Sequence, residues 1–106
     1  MTLIRPGMIA VIFMSTRNGR DGAAYAEAAD AMERLARQQP GFVAVESVRG
    51  EDGFGITVSY WADEPSAAAW RDHPEHSRIR ETGRNRWYDD FQVVVSRVER
   101  SYVKER

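Results

Sequence analysis

The sequence predicts an α+β domain of the ferredoxin-like type, with the element order β-α-β-β-α-β and both helices on one face of an antiparallel sheet. Three observations favour this fold. Short apolar segments alternate with two segments of helical period. The glycine-bounded turn at 50–53 joins two strands, and prolines mark where helices begin or end. The 106 residues are expected to form a single domain, 1–106, with its core at about 8–98 and a charged tail at 99–106.

The first half of the chain holds a strand, a helix and a second strand. Residues 8–14 are short, branched and aromatic, as in a strand buried on both faces. Residues 22–39 place their apolar side chains on one helical stripe, and Asp21 is the expected N-cap because its carboxylate can accept from first-turn amides. Pro40-Gly41 ends this helix, and residues 42–48 alternate as a strand.

The second half adds a strand, an interrupted helix and a last strand. Residues 55–61 form the third strand, and an acidic residue just before Pro65 starts a helix that runs to about Asp72. His73-Pro74 interrupts the helix, and a further helical segment runs to about Arg84. Residues 91–98 form the fourth strand.

Composition excludes several classes of protein. The chain has no cysteine, and its 15 basic and 16 acidic residues are interleaved, which argues against thiol chemistry and against nucleic acid as a partner. The longest apolar run, residues 8–14, is far shorter than the ~20 residues of a membrane span. Polar residues follow this run in place of a signal-peptide cleavage site. We therefore expect a cytoplasmic protein with no membrane partner.

The strands carry apolar side chains on both faces, although helices can cover only one face of this sheet. In the first strand Ile9, Val11 and Phe13 alternate with Ala10, Ile12 and Met14. An uncovered apolar face of this size is unfavourable for a monomer. The sequence therefore predicts a homodimer in which two copies pack sheet to sheet.

Residues 59–76 contain two of the three tryptophans and both histidines. Indole and imidazole rings so close together can line a pocket for a flat aromatic molecule, or they can form a core corner next to a capped helix. His73 precedes a proline and is a candidate N-cap. His76 lies in the first turn of the same helix, where it faces either a pocket or solvent.

Five short motifs, together with the order of elements, resemble the antibiotic biosynthesis monooxygenase family over residues 8–102. The motifs are Pro40-Gly41-Phe42, Tyr60-Trp61, Ala69-Trp70, His73-Pro74-Glu75-His76 and Arg86-Trp87-Tyr88. The resemblance implies a dimeric α+β barrel in which each subunit has a pocket between its sheet and its helices. It also implies a small aromatic or hydrophobic ligand in that pocket.

The resemblance places candidate site residues around that pocket. Trp61, Trp70 and Trp87 can stack on a flat ring. Phe13 is the first-strand side chain that is expected to contact the ligand. The catalytic candidates are His73, His76 and Arg80. Either histidine can act as a base near neutral pH. The guanidinium of Arg80, or that of Arg84, can stabilise a phenolate or a peroxide.

The activity implied is a monooxygenase that needs no cofactor and acts on a hydroquinone-like or phenolic substrate. Two alternatives stay open, a non-catalytic dimer that binds small hydrophobic ligands and a haem-binding or haem-degrading enzyme with altered ligands. The haem-degrading branch of the superfamily uses a first-strand asparagine, a second-helix tryptophan and a histidine ligand. Trp70 matches the tryptophan, but the first strand has no asparagine and Arg80 stands at the histidine position. Two histidines three residues apart, without a carboxylate set, are a poor metal signature, and no metal site is expected.

Overall fold

The computed structural model of the chain describes residues 2–105 and contains four strands and three helices in this range. The elements are β1 (Ile9–Arg17), α1 (Gly22–Arg37), β2 (Phe42–Arg49), β3 (Phe54–Trp61), α2 (Glu64–Arg71), α3 (Pro74–Arg86) and β4 (Tyr88–Arg97). All strand pairs are antiparallel, and the spatial order is β2-β3-β1-β4. This arrangement confirms the predicted ferredoxin-like fold, including the break between α2 and α3.

β1 and β4 are longer than predicted because polar residues continue their pairing. The ladder joins Ser15 to Phe91, Thr16 to Asp90 and Arg17 to Tyr88. The polar residues Ser15, Thr16, Arg17 and Asp90 interrupt the apolar pattern on which the sequence prediction depended, but their backbone groups still pair. The start of β4 therefore moves from Phe91 to Tyr88, which brings a tyrosine into the sheet.

Asp21 is the N-cap residue of α1, as predicted, but the predicted capping by its carboxylate is wrong. Asp21 has the left-handed backbone conformation, with φ 50°, and its side chain accepts no hydrogen bond from the helix. Its carboxylate instead accepts from the Arg86 guanidinium at 2.8 Å, at the far end of α3. Asp63, by contrast, caps α2 by accepting from the backbone amide of Ser66 at 2.9 Å.

The packed core occupies only one end of the space between sheet and helices. Its members come from β1, α1, β3 and α2, and they are Ile9, Ala36, Trp61, Ala67 and Trp70. Toward β4 the helix-facing side of the sheet is open. Val93 and Val95 pair with Phe13 and Val11 on this side, yet they are 47% and 64% exposed. An apolar groove therefore runs beside the core.

The opposite face of the sheet, here called the outer face, is apolar. Register places Ile12, Met14, Val58 and Val94 on it, and Val48 at its edge is 73% exposed. Among residues 2–105, all three helices pack on the other side. The outer face is thus the apolar surface that led the sequence analysis to expect a second copy.

Candidate functional site

The groove between the sheet and the helices has a volume of about 1170 Å³. Its floor is formed by apolar residues of β1 and β4, and its walls by one face each of α1 and α3. Pockets for drug-sized molecules are usually about 300–1,000 Å³, so the groove is large enough for a ligand of several rings. The residues that line it include Phe13, Tyr25, Trp70, His76, Arg80, Arg84, Trp87, Tyr88, Phe91 and Val95.

A stack of three rings, the tryptophan stack of Trp61, Trp70 and His76, closes one end of the groove. The Trp70 ring lies 5.7 Å from the Trp61 ring and 4.3 Å from the His76 ring, with an interplanar angle of 13° to the latter. Trp61 is 0% exposed, and its Nε1 donates to Ser59 Oγ at 3.0 Å. The core therefore holds Trp70, and Trp70 orients His76.

The hydrogen bonding of His76 fixes which ring nitrogen carries the proton. Nδ1 lies 2.8 Å from the backbone oxygen of Trp70. Because a carbonyl oxygen only accepts, Nδ1 donates, and the neutral ring keeps a lone pair on Nε2. Burial lowers the pKa of His76, and the positive charge of Arg80 lowers it further, against the raising effect of the Trp70 hydrogen bond. The imidazole is thus a neutral base at neutral pH.

His73 caps a helix and does not line the groove. Its Nδ1 accepts from the backbone amide of Glu75 at 3.2 Å, which makes it the N-cap of α3. Its ring lies 5.9 Å from the Trp70 ring, but it is not part of the groove wall. The two histidines therefore have different environments despite their spacing of three residues.

One face of α3 lines the groove with positive charge. His76, Arg80 and Arg84 follow one another at intervals of four residues, so they lie along one side of the helix. The Arg84 guanidinium lies 5.4 Å from the centre of the Phe91 ring. Within residues 2–105, neither arginine forms an ion pair with a carboxylate. Asp30, Glu33, Glu64 and Glu81 also line the groove, so the attraction for a ligand that carries or develops negative charge is local to Arg80 and Arg84.

A second aromatic group, the tyrosine cluster of Phe13, Tyr25, Tyr88 and Phe91, lies at the other end of the groove. Tyr88 is 5.4 Å from Phe13, 5.9 Å from Tyr25 and 6.3 Å from Phe91 between ring centres. Trp87, which is 5% exposed, packs edge-on against Tyr25 at 5.6 Å. Its buried Nε1 has no hydrogen-bond partner among residues 2–105.

Two arginines stand behind the tyrosine cluster. Arg49 donates to the backbone oxygens of Ser15 and Gly53 and, through its second terminal nitrogen, to Ser15 Oγ at 2.8 Å and the Tyr25 hydroxyl at 3.2 Å. Arg17 lies over the Tyr25 ring at 3.8 Å. Within residues 2–105 neither has a carboxylate partner. This end of the groove is therefore electropositive.

Tyr88 is the tyrosine on which these groups converge. Burial raises the pKa of Tyr88, and the neighbouring Tyr25 raises it further, while the positive charges of Arg49 and Arg17 act in the opposite direction. The net effect keeps the phenol protonated at every physiological pH. Tyr88 thus keeps its hydroxyl proton and brings no negative charge to the groove.

The structure brings five of the seven predicted site residues to the groove: Phe13, Trp70, His76, Arg80 and Trp87. The other two predicted residues, Trp61 and His73, lie in the core and at a helix cap. Sequence reasoning missed Tyr25 and Tyr88 as site residues. The available signal was a tyrosine in an otherwise small and aliphatic stripe of α1, since a buried phenol needs a polar partner.

Two further groups of features are absent from residues 2–105. No cluster of three or more His, Cys, Asp or Glu side chains is arranged to hold a metal ion. No helix in the same range is long and apolar enough to cross a membrane.

Comparison with known proteins agrees with the fold. The family model "Antibiotic biosynthesis monooxygenase" matches residues 7–82. The uncharacterized protein YqjZ of Bacillus subtilis is 47% identical over 95 residues, which cover 90% of this chain and 82% of YqjZ.

Solved structures with low identity share the fold. SnoaB of Streptomyces nogalater, a cofactor-independent oxygenase, superposes with a TM-score of 0.77 at 16% identity, covering 93% of this chain and 99% of SnoaB. A conserved protein from Methanosarcina mazei gives a TM-score of 0.76 at 10% identity, over 85% and 91% of the two chains. The extent of the family match and the identity to YqjZ show that the chain belongs to the antibiotic biosynthesis monooxygenase family.

Proposed function

We propose that this protein is a monooxygenase that works without a cofactor and oxidises a flat phenolic substrate held in the groove. The observation that carries the proposal is the state of His76, which is neutral, fixed by Trp70 and has Nε2 as its free acceptor. A base of this kind can remove a phenolic proton. Dioxygen is the oxidant, and the substrate supplies all the electrons.

The proposed reaction begins when His76 Nε2 takes the proton of a substrate hydroxyl. Electron density of the phenolate then reaches a ring carbon that still bears hydrogen, and this carbon forms a bond to dioxygen. The peroxide receives a proton from His76, its O–O bond breaks as the carbon–hydrogen bond is lost, and water leaves. One oxygen atom ends in the new carbonyl, the other in water, and the phenol becomes a quinone.

The remaining groups of the groove support charge and orientation. Trp70 and the tyrosine cluster present ring surfaces on which a flat substrate can stack, at about 0.5–1.5 kcal/mol per aromatic pair beyond area burial. Arg80 and Arg84 place fixed positive charge beside the phenolate. Val93 and Val95 give this part of the groove an apolar floor.

Dioxygen uptake by metal-free protein with hydroquinone and naphthol substrates tests the proposal. We expect His76→Ala to lower the rate at least tenfold with unchanged circular dichroism. His73→Ala is the matched control, because it removes the same side chain from a helix cap outside the groove; its rate should stay within about twofold of wild type. Equal rates in wild type and His76→Ala would overturn the role of the base.

The same preparations separate the two alternatives. A Soret shift on haem titration that disappears in His76→Ala would favour haem binding. Saturable binding of naphthols without any oxygen uptake would favour a non-catalytic binding protein.

We also propose that two copies associate through their outer faces. The support is the apolar character of Ile12, Met14, Val58 and Val94 on a face that no helix within residues 2–105 covers. Burial of apolar surface stabilises association by roughly 25 cal/mol per Å². Because the groove lies on the other side of the sheet, this association leaves the groove available to a ligand.

A further inference from the structure

We propose that the groove has a carboxylate site beside the tyrosine cluster, in which Arg84 holds the acidic group of an aromatic carboxylic acid. This assignment goes beyond the proposed function, because it concerns binding and holds whether or not the ligand is oxidised. Three features carry it: the free donors of Arg84, the positive charges around the cluster, and the ion pairs that engage most of the acidic residues in the groove wall.

Arg84 presents its guanidinium to the groove without a protein partner. It lines the groove about two turns of α3 after His76, and its guanidinium carbon lies 5.4 Å from the centre of the Phe91 ring. Among residues 2–105, its guanidinium donates no hydrogen bond and forms no ion pair. A planar guanidinium with free donors matches the two oxygens of a carboxylate, to which it can donate two parallel hydrogen bonds.

Two more guanidinium groups lie around the same cluster. Arg17 is 3.8 Å from the centre of the Tyr25 ring, and Arg49 is 6.0 Å from that of Tyr88. Both arginines donate only to backbone oxygens and hydroxyl groups within the described part of the chain. Because these acceptors are neutral, the positive charges persist and favour an anion beside Arg84.

The position of Arg49 is built into the sheet. Gly55 pairs with Arg49 on one side and with Ser15 on the other, and a Cβ at Gly55 would lie 2.7 Å from the guanidinium carbon. The arginine side chain therefore crosses β3 over the glycine and donates to Ser15 Oγ at 2.8 Å. Since Ser15 is 1% exposed, this charge is fixed on the helix-facing side of the sheet, where solvent screens it only in part.

The acidic residues that line the groove do not cancel these charges. Three of the four form ion pairs with arginines outside the cluster: Asp30 with Arg34, Glu33 with Arg37, and Glu64 with Arg97. The fourth, Glu81, has no ion pair among residues 2–105, and it directly follows Arg80, which has none either. The charge balance at the cluster is therefore positive.

A matched pair of ligands, 2-naphthoate and 2-naphthamide, tests the assignment through binding alone. They have the same rings and nearly the same size, but only the naphthoate is charged at neutral pH. Isothermal titration calorimetry at low salt gives both affinities, and we expect wild type to bind the naphthoate at least fivefold more tightly. High salt should reduce this ratio, since the screening length falls from about 10 Å at 0.1 M to about 3 Å at 1 M.

Three variants show whether Arg84 is the group responsible. Arg84→Met, at an exposed position, should bring the ratio below about twofold, and Arg84→Lys should give an intermediate ratio because it keeps the charge without the planar donors. Arg78→Met is the matched control, since it makes the same charge change on the same helix at a residue that pairs with Glu75 and does not line the groove. Its ratio should equal that of wild type.

Several results would overturn the assignment. These are an equal affinity of wild type for the two compounds, no binding of either up to its solubility limit, a preference that persists in Arg84→Met, and an equal loss of preference in Arg78→Met. Thermal melts of the variants verify that they are folded. Because no oxidation is measured, these outcomes are independent of the oxygen-uptake test of the proposed function.

Discussion

At the scale of single residues, the core positions His76, the proposed base. Trp61 has no exposure and supports Trp70, and the backbone oxygen and the ring of Trp70 both contact His76. The sequence shows that these rings are close together along the chain. It does not show which of the two histidines faces the groove, because that depends on the direction in which α3 leaves the cap at His73.

The pH dependence of the proposed reaction follows from the lowered pKa of His76. The base is active when neutral, so kcat/KM should fall only as the pH drops below the value of about 6.5 that an exposed histidine has. Because Arg80 contributes to the lowered pKa, Arg80→Met should move this acid limb to higher pH. A pH–rate profile of both proteins checks the shift; coincident profiles would contradict the electrostatic coupling.

Stability has the same sign of pH dependence. Between the lowered pKa and about 6.5, the unfolded chain binds a proton at this histidine and the folded chain does not, so the free energy of unfolding decreases as the pH falls through this window.

Replacement of Trp61 should be far more costly than its sequence position at a strand end suggests. Trp61→Ala removes a fully buried ring that packs on Phe42 and Trp70, and we expect a loss of about 3–5 kcal/mol in the free energy of unfolding. Tyr102→Ala, at an exposed aromatic residue, should change it by less than about 0.5 kcal/mol. Urea denaturation of both variants gives the two values, and similar small losses would contradict the description of Trp61 as core.

At the scale of elements, periodicity predicted the existence and order of the strands and helices, and polar residues limited the prediction of their ends. Pro65 and Pro74 mark the two helix starts correctly, because proline at the first turn leaves no amide unpaired. The predicted capping of α1 by the Asp21 carboxylate failed, since Asp21 has a left-handed backbone and its carboxylate accepts from Arg86. No local pattern encodes a contact between residues 65 positions apart.

The turn between α1 and β2 packs closely against α2 at a glycine. Gly41 has φ +81°, and a Cβ built there would lie 2.0 Å from Ser66 Oγ. At Gly19, which has φ +82°, an added Cβ would meet no atom within 4 Å. Gly19→Ala should therefore cost only the backbone strain of about 1–2 kcal/mol. We expect Gly41→Ala to be clearly more destabilising than Gly19→Ala. Adding Ser66→Gly to the Gly41→Ala protein should recover part of the lost stability, because it removes the side chain that the new Cβ meets. Thermal denaturation of the three variants decides; equal losses for both glycines would contradict the contact.

At the scale of the whole molecule, the two sides of the sheet have different properties. The helix side holds a core at one end and a groove at the other, and the outer face holds apolar side chains without cover from helices. The sequence predicted both apolar faces from strand alternation. It could not predict that the groove extends from the tryptophan stack to the tyrosine cluster, because the latter joins residues of β1, α1 and β4.

The proposed association through the outer face predicts a particle of about twice the 12.1 kDa mass of one chain. Val94→Lys places a charge on this face at the edge strand β4, where lysine is tolerated, and should shift the mass toward the monomer. Ala26→Lys, on an exposed position of α1, makes the same charge change elsewhere and should not. Light scattering at micromolar concentration measures all three; a monomeric wild type would contradict the proposal.

The most direct test of the proposed monooxygenase activity is the origin of the oxygen atom in the product. Metal-free protein is given a polycyclic phenol under ¹⁸O₂, and the quinone is analysed by mass spectrometry. The proposed reaction predicts one ¹⁸O atom per quinone molecule formed, at a rate that falls at least tenfold in His76→Ala. A quinone whose new oxygen comes from water, or no protein-dependent quinone at all, would contradict it.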